Sequence, residues 1–131
     1  MGEKRLADKN VESGRREQQL ERKSLLWRQA VTQFIDLLKE TYGTNFCQAI
    51  LFGSRAREDA EKVSDVDILV VLRDYRDYWA ELHRVADLAY ASTFDSDIPV
   101  VISAFPIRES EYYQEETPLL LNVRREGVRV G

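Results

Sequence analysis

The 131 residues are 44% hydrophobic and 32% charged, which is typical of one ordinary globular domain with a modest core. The net charge of −4 argues against a protein that binds nucleic acid through a general positive field, so we expect no direct sequence-specific nucleic-acid binding. No run approaches the ~20 apolar residues of a membrane span, and the N-terminus lacks the apolar centre of a signal peptide. The single cysteine, Cys47, excludes an internal disulfide. We therefore expect a cytoplasmic protein, with Cys47 as a small buried residue ahead of the first strand.

The N-terminal part of the chain is predicted to be a charged tail followed by a long helix. Residues 1–16 are polar and highly charged, which predicts a flexible tail or the unpacked beginning of a helix. We take 1–16 as a flexible charged N-terminal tail and 17–131 as a single domain. From about Gln18 to Tyr42 there is no glycine or proline, and apolar residues recur at helical spacing until Gly43. The apolar stripe, expected to pack on a sheet, is formed by Trp27, Val31, Phe34 and Leu38.

A strand, a turn and a short helix are predicted next. Residues 48–52 form a short apolar run typical of a buried strand, and the run ends at Gly53 and Ser54. Glycine permits a positive φ and a close approach of phosphate to the backbone amides, and the serine hydroxyl adds a donor. Residues 55–62 lack glycine and proline, which predicts a short helix whose N-terminus points at the turn. This unit predicts an anion site.

Two carboxylates begin the following predicted strand. Residues 66–72 are nearly all Val, Ile and Leu, which indicates a strand buried on both faces, and Asp65 and Asp67 lie at its start. Side chains at positions i and i+2 of a strand project to the same side, with Cα atoms roughly 6 to 7 Å apart. Two such carboxylates can bind one Mg²⁺ ion or a pair of ions about 3.5–4 Å apart.

Each of these two patterns has a simpler explanation when it is taken alone. A glycine-serine pair after an apolar run is most often only a turn, and an Asp-x-Asp pair at a strand start is more often a solvated loop end. Together they place phosphate donors and metal ligands in one supersecondary unit, which packing alone does not explain. We therefore interpret the unit as a site for a nucleoside triphosphate and its metal ions.

The second half of the chain predicts a helix and a third strand. The helix is predicted over residues 74–91 with Asp74 as its N-cap, and its His83 is expected at a surface or interface rather than in catalysis. The strand is predicted over residues 98–103, where Pro99 restricts it to a sheet edge or to its own first residues.

The C-terminal part predicts a last helix and a short strand. The helix covers residues 118–126 and is stopped by Gly127, and the strand covers residues 128–130. Arg124 and Arg125 lie in the last turn of the helix, where cations complement the helix dipole, so we interpret them as structural.

With these motifs, the sequence resembles the nucleotidyltransferase superfamily related to the palm of DNA polymerase β, in its smallest form, the minimal nucleotidyltransferase. The resemblance rests on Gly53 and Ser54, on the ten residues that separate Ser54 from Asp65, and on Asp65 and Asp67 with their apolar flanks. It implies an α/β (α+β) fold with a small mixed β-sheet packed by helices.

The resemblance also implies a third carboxylate on a later strand. Asp97 is the best match because it abuts the third predicted strand; Asp95, two residues earlier, is the alternative, and both can instead be loop residues. Arg55 and Arg57 follow the turn closely and can neutralise a triphosphate, or they can pair with neighbouring acidic side chains at the surface. We favour phosphate contact for Arg57.

The activity implied by the resemblance is nucleotidyl transfer. Gly53 and Ser54 would hold the β- and γ-phosphates of ATP, and Asp65, Asp67 and Asp97 would bind Mg²⁺, with two ions expected. An acceptor hydroxyl would attack the α-phosphate with help from Asp97, and pyrophosphate would leave.

The acceptor is expected to belong to another molecule, because little sequence follows Asp97. Similar minimal nucleotidyltransferases are antitoxins of two-gene prokaryotic modules whose toxin is a HEPN-type ribonuclease. The resemblance implies transfer of AMP from ATP to a hydroxyl of that partner, a tyrosine, within a hetero-oligomer. Two alternatives remain open: an antitoxin that acts by binding alone, and a small-molecule nucleotidyltransferase that works with a second subunit.

Overall fold

The protein alternates helices with the strands of one small sheet. The structure, a computed structural model, describes residues 2–53, 65–94 and 100–131, and in the first helix its side chains mainly from Leu25 onward. The elements in chain order are α1 (Gly2–Tyr42), a short 3-10 helix (Gly43–Asn45), β1 (Phe46–Phe52), β2 (Asp65–Leu72), α2 (Tyr78–Thr93), β3 (Val101–Arg108), α3 (Glu109–Gln114), α4 (Pro118–Glu126) and β4 (Val128–Arg129).

The sheet is mixed, and its strand order is β3-β2-β1-β4. Strand β1 runs antiparallel to both β2 and β4, whereas β2 and β3 are parallel. The end of β1 and the starts of β2 and β3 therefore meet at one end of the sheet. Strand β3 lies at an edge, as expected for a strand near Pro99, and the edge also accommodates Pro106, which has no N–H to donate. This is the predicted α/β fold with a small mixed sheet.

One face of the sheet is covered by α1 and α2. Alternate residues of β2, among them Val66, Ile68 and Val70, are fully buried there. The predicted stripe of α1 supplies much of this core, since Phe34 and Leu38 are also fully buried. Val31 is buried with them and Trp27 packs against the cluster, so the helical prediction for this segment is confirmed.

The opposite face of the sheet is covered by the two short helices α3 and α4. Leu69 and Val71, the other alternate residues of β2, pack there against Tyr112 of α3 and against Leu120 and Val123 of α4. Strand β2 is thus buried on both faces along most of its length, as its apolar run predicts.

Two predictions at the N-terminal side need comment. Residues 2–16 have the helical backbone of α1, which is the second of the two expectations for this segment, and the domain boundary after residue 16 stays a prediction. Cys47 lies within β1 rather than ahead of it and is only half-buried. Its thiol donates to Oε2 of Glu109 at 3.0 Å, which links β1 to the start of α3.

The predicted N-cap of α2 was wrong by three residues. Asp77 is the cap, because its Oδ1 accepts from the backbone N–H groups of Trp79 at 3.0 Å and Ala80 at 3.4 Å. The Asp74 carboxylate instead accepts from the backbone N–H of Tyr75 at 2.8 Å and from Nε of Arg108 at 2.9 Å. A local sequence pattern does not distinguish these two aspartates, and it does not reveal that Asp74 contacts Arg108, which is 34 residues away in sequence.

The C-terminal elements agree with their predictions, and β3 is longer than expected. It continues to Arg108 instead of ending at Ser103, while residues 98 and 99 lie outside the described part of the chain. The guanidinium of Arg124 donates to the backbone carbonyls of Tyr112, Tyr113 and Glu115 at 2.9, 3.1 and 2.8 Å, so its structural role is confirmed.

Among the described residues, no helix combines the length and the apolar character needed to cross a membrane.

We predict that Tyr42→Phe lowers the free energy of unfolding by about 1–2 kcal/mol. The Tyr42 hydroxyl donates to Oε2 of Glu81 at 2.7 Å in a partly buried position and joins the end of α1 to α2. Burial and the Glu81 carboxylate both raise the pKa of Tyr42, which keeps its hydroxyl a donor. Urea denaturation measures the loss. Tyr90→Phe, at an exposed position of α2, is the control, and equal losses in the two variants would contradict this assignment.

Candidate functional site

The site lies where three strands meet at one end of the sheet. In the antiparallel pair, Phe52 at the end of β1 is opposite Asp67. In the parallel pair, Asp65 is beside Val101 and Asp67 is beside Ser103. Neighbouring strands lie about 4.8 Å apart, so Asp67 stands between the last residue of β1 and the hydroxyl-bearing residue of β3.

Asp65 and Asp67 project from the face of the sheet that α3 and α4 cover further along. Residues at alternate positions of a strand share a face, and Leu69 belongs to the core beneath these two helices, whereas Val66 and Ile68 belong to the opposite core. Asp65 is exposed and Asp67 is half-buried. Two carboxylates therefore stand side by side at the solvent-accessible start of a buried strand, as their spacing predicts.

Gly53 brings the turn after β1 against the Asp67 carboxylate. Its φ of +77° lies in the left-handed region that favours glycine. A Cβ atom built on Gly53 would lie 2.7 Å from Oδ2 of Asp67, which is closer than real Cβ contacts allow. The turn predicted to hold phosphate and the carboxylate predicted to bind metal are therefore parts of one site.

The electrostatics of the carboxylate pair favour a cation. Burial raises the pKa of Asp67, and the neighbouring Asp65 charge raises it further. A divalent cation would relieve this repulsion, and carboxylate oxygens are the ligands that Mg²⁺ prefers. In most protein sites Mg²⁺ is held by one or two carboxylates together with substrate phosphates, so the pair beside a phosphate-accessible glycine turn fits the ion.

The structure brings together Gly53, Asp65 and Asp67 of the predicted site. The remaining predicted residues lie outside the described part of the chain, and their roles stay predictions; they are Ser54, Arg55, Arg57, Asp95 and Asp97. The described residues contain no group of three His, Cys, Asp or Glu side chains arranged to hold a metal. The segments that carry the remaining candidates join the described chain at Gly53, Asp65, Phe94 and Val100.

Ser103 is a site residue that the sequence did not reveal. It is half-buried and lies beside Asp67 in the parallel register. The sequence does show Ser103 as a small polar residue within the apolar run 100–105. It does not show that Ser103 pairs with Asp67, because packing over the whole sheet decides the register of β2 and β3.

The chain has a mixed sheet with helices on both faces and a glycine turn against an Asp-x-Asp pair. This is the arrangement expected of a nucleotidyltransferase domain. Residues 33–121 match the family model described as "Polymerase beta, Nucleotidyltransferase". The match covers most of the chain, including both halves of the site. The chain therefore belongs to the polymerase β nucleotidyltransferase family.

One curated relative is similar over the part of the chain that it shares. A Methanocaldococcus jannaschii protein with the name "Putative protein adenylyltransferase MJ0604" is 45% identical over 42 residues, which are 32% of this chain and 42% of the relative. The chain thus spans less than half the length of this relative.

We predict that Gly53→Ala weakens Mg²⁺ binding and that Gly43→Ala does not, although both substitutions strain the backbone. Each glycine has a positive φ, +77° and +54°, so each alanine should cost about 1–2 kcal/mol in unfolding free energy. An added Cβ at Gly43 meets no described atom within 4 Å, whereas one at Gly53 meets Asp67. Only Gly53→Ala should weaken Mg²⁺ binding, measured by calorimetric titration; equal Mg²⁺ affinities in the two variants would disprove the coupling.

We predict that Asp67→Asn changes how the stability of the metal-free protein depends on pH. A carboxyl group whose pKa is raised in the folded state stabilises that state fully below its unfolded pKa, and this stabilisation is lost as the pH rises through the raised value. Between acidic and neutral pH the wild type should therefore lose melting temperature relative to Asp67→Asn. Addition of Mg²⁺ should reduce this loss of melting temperature. The control is Asp36→Asn, at an exposed position of α1, which should show the same dependence of melting temperature on pH as the wild type.

Proposed function

We propose that this protein is a Mg²⁺-dependent protein adenylyltransferase. It transfers AMP from ATP to a hydroxyl, a tyrosine, of a partner HEPN-type ribonuclease toxin, and it acts in the cytoplasm as the antitoxin of that pair. The observation that carries the proposal is the approach of the Gly53 turn to the Asp67 carboxylate, because it joins a phosphate-binding geometry to a metal-binding one.

The roles of the described residues follow from their positions. The positive φ of Gly53 exposes its backbone to a close approach by the β- and γ-phosphates, beside the predicted hydroxyl donor Ser54. Asp65 and Asp67, at the start of β2, would hold the Mg²⁺ ion. The ion would supply charge neutralisation on the phosphate oxygens.

The transfer step exchanges one phosphorus–oxygen bond for another. The acceptor oxygen forms a bond to the α-phosphorus, the bond from that phosphorus to the β-bridging oxygen breaks, and pyrophosphate leaves. The hydroxyl proton passes to a base, for which Asp97 remains the predicted group. Positioning and charge stabilisation carry most of the rate in such a site.

The identity of the acceptor is supported by the name of one relative and by the motifs of this chain. The name of the M. jannaschii relative describes transfer of an adenylyl group to a protein, which supports ATP as donor and a polypeptide as acceptor. The HEPN partner and the antitoxin role come from the resemblance to minimal nucleotidyltransferases that the motifs carry.

We predict that the pair Asp65→Ala plus Asp67→Ala abolishes AMP transfer without unfolding the protein. The protein is incubated with Mg²⁺, ATP labelled at the α-phosphate, and the protein encoded beside it. Wild type should label that partner, and the double variant should lose at least about 100-fold in rate because the charge stabilisation is gone. The matched control is Asp36→Ala plus Glu40→Ala, which removes two exposed carboxylates from α1.

Two further assays on the same variants separate the alternatives. Survival of toxin neutralisation in the Asp65→Ala plus Asp67→Ala variant would favour an antitoxin that acts by binding alone. Pyrophosphate release with an aminoglycoside or a sugar as acceptor, and with no label on protein, would favour a small-molecule nucleotidyltransferase.

A further inference from the structure

Exposed apolar side chains collect at the end of α2 and along β3. The exposed fractions are 71% for Tyr90, 64% for Phe94, 52% for Val101 and 41% for Phe105. The rings of Tyr90 and Phe94 are stacked, with centroids 6.2 Å apart. We refer to these four residues as the acceptor surface. The surface wraps around the edge strand β3, because Tyr90 and Phe94 lie on the α2 side of the sheet and Phe105 lies on the side that α3 and α4 cover. Exposed apolar patches of this kind often mark interaction sites.

The acceptor surface has the form of a protein interface rather than of an enclosed small-molecule pocket. Its two rings stand out from the surface beside an open groove of about 300 Å³, which Tyr90, Phe94 and Val101 line with the small residue Ala86. A second groove, of about 710 Å³, lies between α1 and the end of α2 and shares Phe94. Residues 88–94 carry no charge in a chain that is 32% charged, and protein interfaces are depleted of charge at their centres.

The acceptor surface is continuous with the carboxylate pair. Val101 lines the smaller groove and is also the residue of β3 that lies beside Asp65. Phe105 follows Ser103 by two positions, so it shares a face of the sheet with Ser103 and with Asp67, which Ser103 adjoins. A macromolecule seated on this surface would reach the start of β2 across β3.

The geometry of in-line transfer selects the β3 side for the acceptor. In phosphoryl transfer the attacking and leaving oxygens lie roughly opposite each other across the phosphorus. The Gly53 turn, where pyrophosphate is held under the proposed function, lies on the β1 side of Asp67. The strand order β3-β2-β1 places β3 on the opposite side of the carboxylates. An attacking hydroxyl therefore approaches over β3.

We infer, on the basis of the proposed function, that the protein acceptor docks its own apolar patch on the acceptor surface and presents its hydroxyl across β3 to Asp65 and Asp67. Docking is the role of Tyr90 and Phe94, neither of which is among the residues predicted to bind ATP or metal. Ser103 and Val101 line the path between the docked partner and the carboxylates.

We predict that Tyr90→Glu and Phe94→Glu each raise the KM for the protein encoded beside this one by about tenfold or more, as expected for aromatic residues at the centre of an interface. The dissociation constant for ATP, measured by calorimetry, should not change. The control is Leu119→Glu, because Leu119 is 54% exposed but lies on α4. A KM in the two aromatic variants equal to that of the control, or a weakened ATP affinity, would overturn the inference.

A second measurement does not depend on transfer. A photoreactive phenylalanine analogue replaces Tyr90 in one sample and Leu119 in another, and each is irradiated with the same partner. Crosslinks from position 90 alone support the docking surface; crosslinks from position 119 alone, or from neither, overturn it. Crosslinks from position 90, together with a wild-type protein that transfers no AMP to the same partner, would refute the proposed function and leave the docking surface standing.

Discussion

The site depends on one close approach, that of the Asp67 carboxylate to the backbone of Gly53. The antiparallel pairing of Phe52 with Asp67 fixes the end of β1 against the start of β2. With any side chain at position 53, a Cβ atom would occupy the space that Oδ2 of Asp67 takes. The left-handed φ of this residue turns the chain away at the same point. A single glycine thereby sets both the exit of the turn and the position of the carboxylate that is predicted to bind metal.

This arrangement carries an electrostatic cost that the rest of β2 offsets. Asp67 is partly buried beside Asp65, and both effects raise its pKa, so the ionised pair is less stable in the fold than in water. The remainder of the strand, from Ile68 to Leu72, is buried between the helices on the two faces of the sheet. Apolar burial on both faces holds the strand in place while its first residues keep an unfavourable charge for a cation to neutralise.

How far the sequence predicts this structure depends on how local each feature is. The stripe of α1, the apolar run of β2 and the turn at Gly53 follow from periodicity and residue type within a few positions, and all three are confirmed. The cap of α2 and the partner of Asp67 on β3 do not follow in this way. Two nearby aspartates fit the cap equally well by residue type, and the partner of Asp67 is decided by the register of a parallel strand pair. Asp97 as third carboxylate stays a prediction, because it and its alternative Asp95 lie outside the described part of the chain.

The contact between Gly53 and Asp67 and the exposed aromatic pair Tyr90 and Phe94 are under different structural constraints. Gly53 and Asp67 share one close contact, so neither can change alone without disturbing the other. Tyr90 and Phe94 are mostly exposed, and substitutions at exposed positions usually alter stability by less than about 0.5 kcal/mol. Tyr90 and Phe94 can therefore change at little cost in stability, while Gly53 and Asp67 are held by their mutual contact. Under the proposed function, this division lets a domain keep one reaction while its exposed residues adapt to different partner proteins.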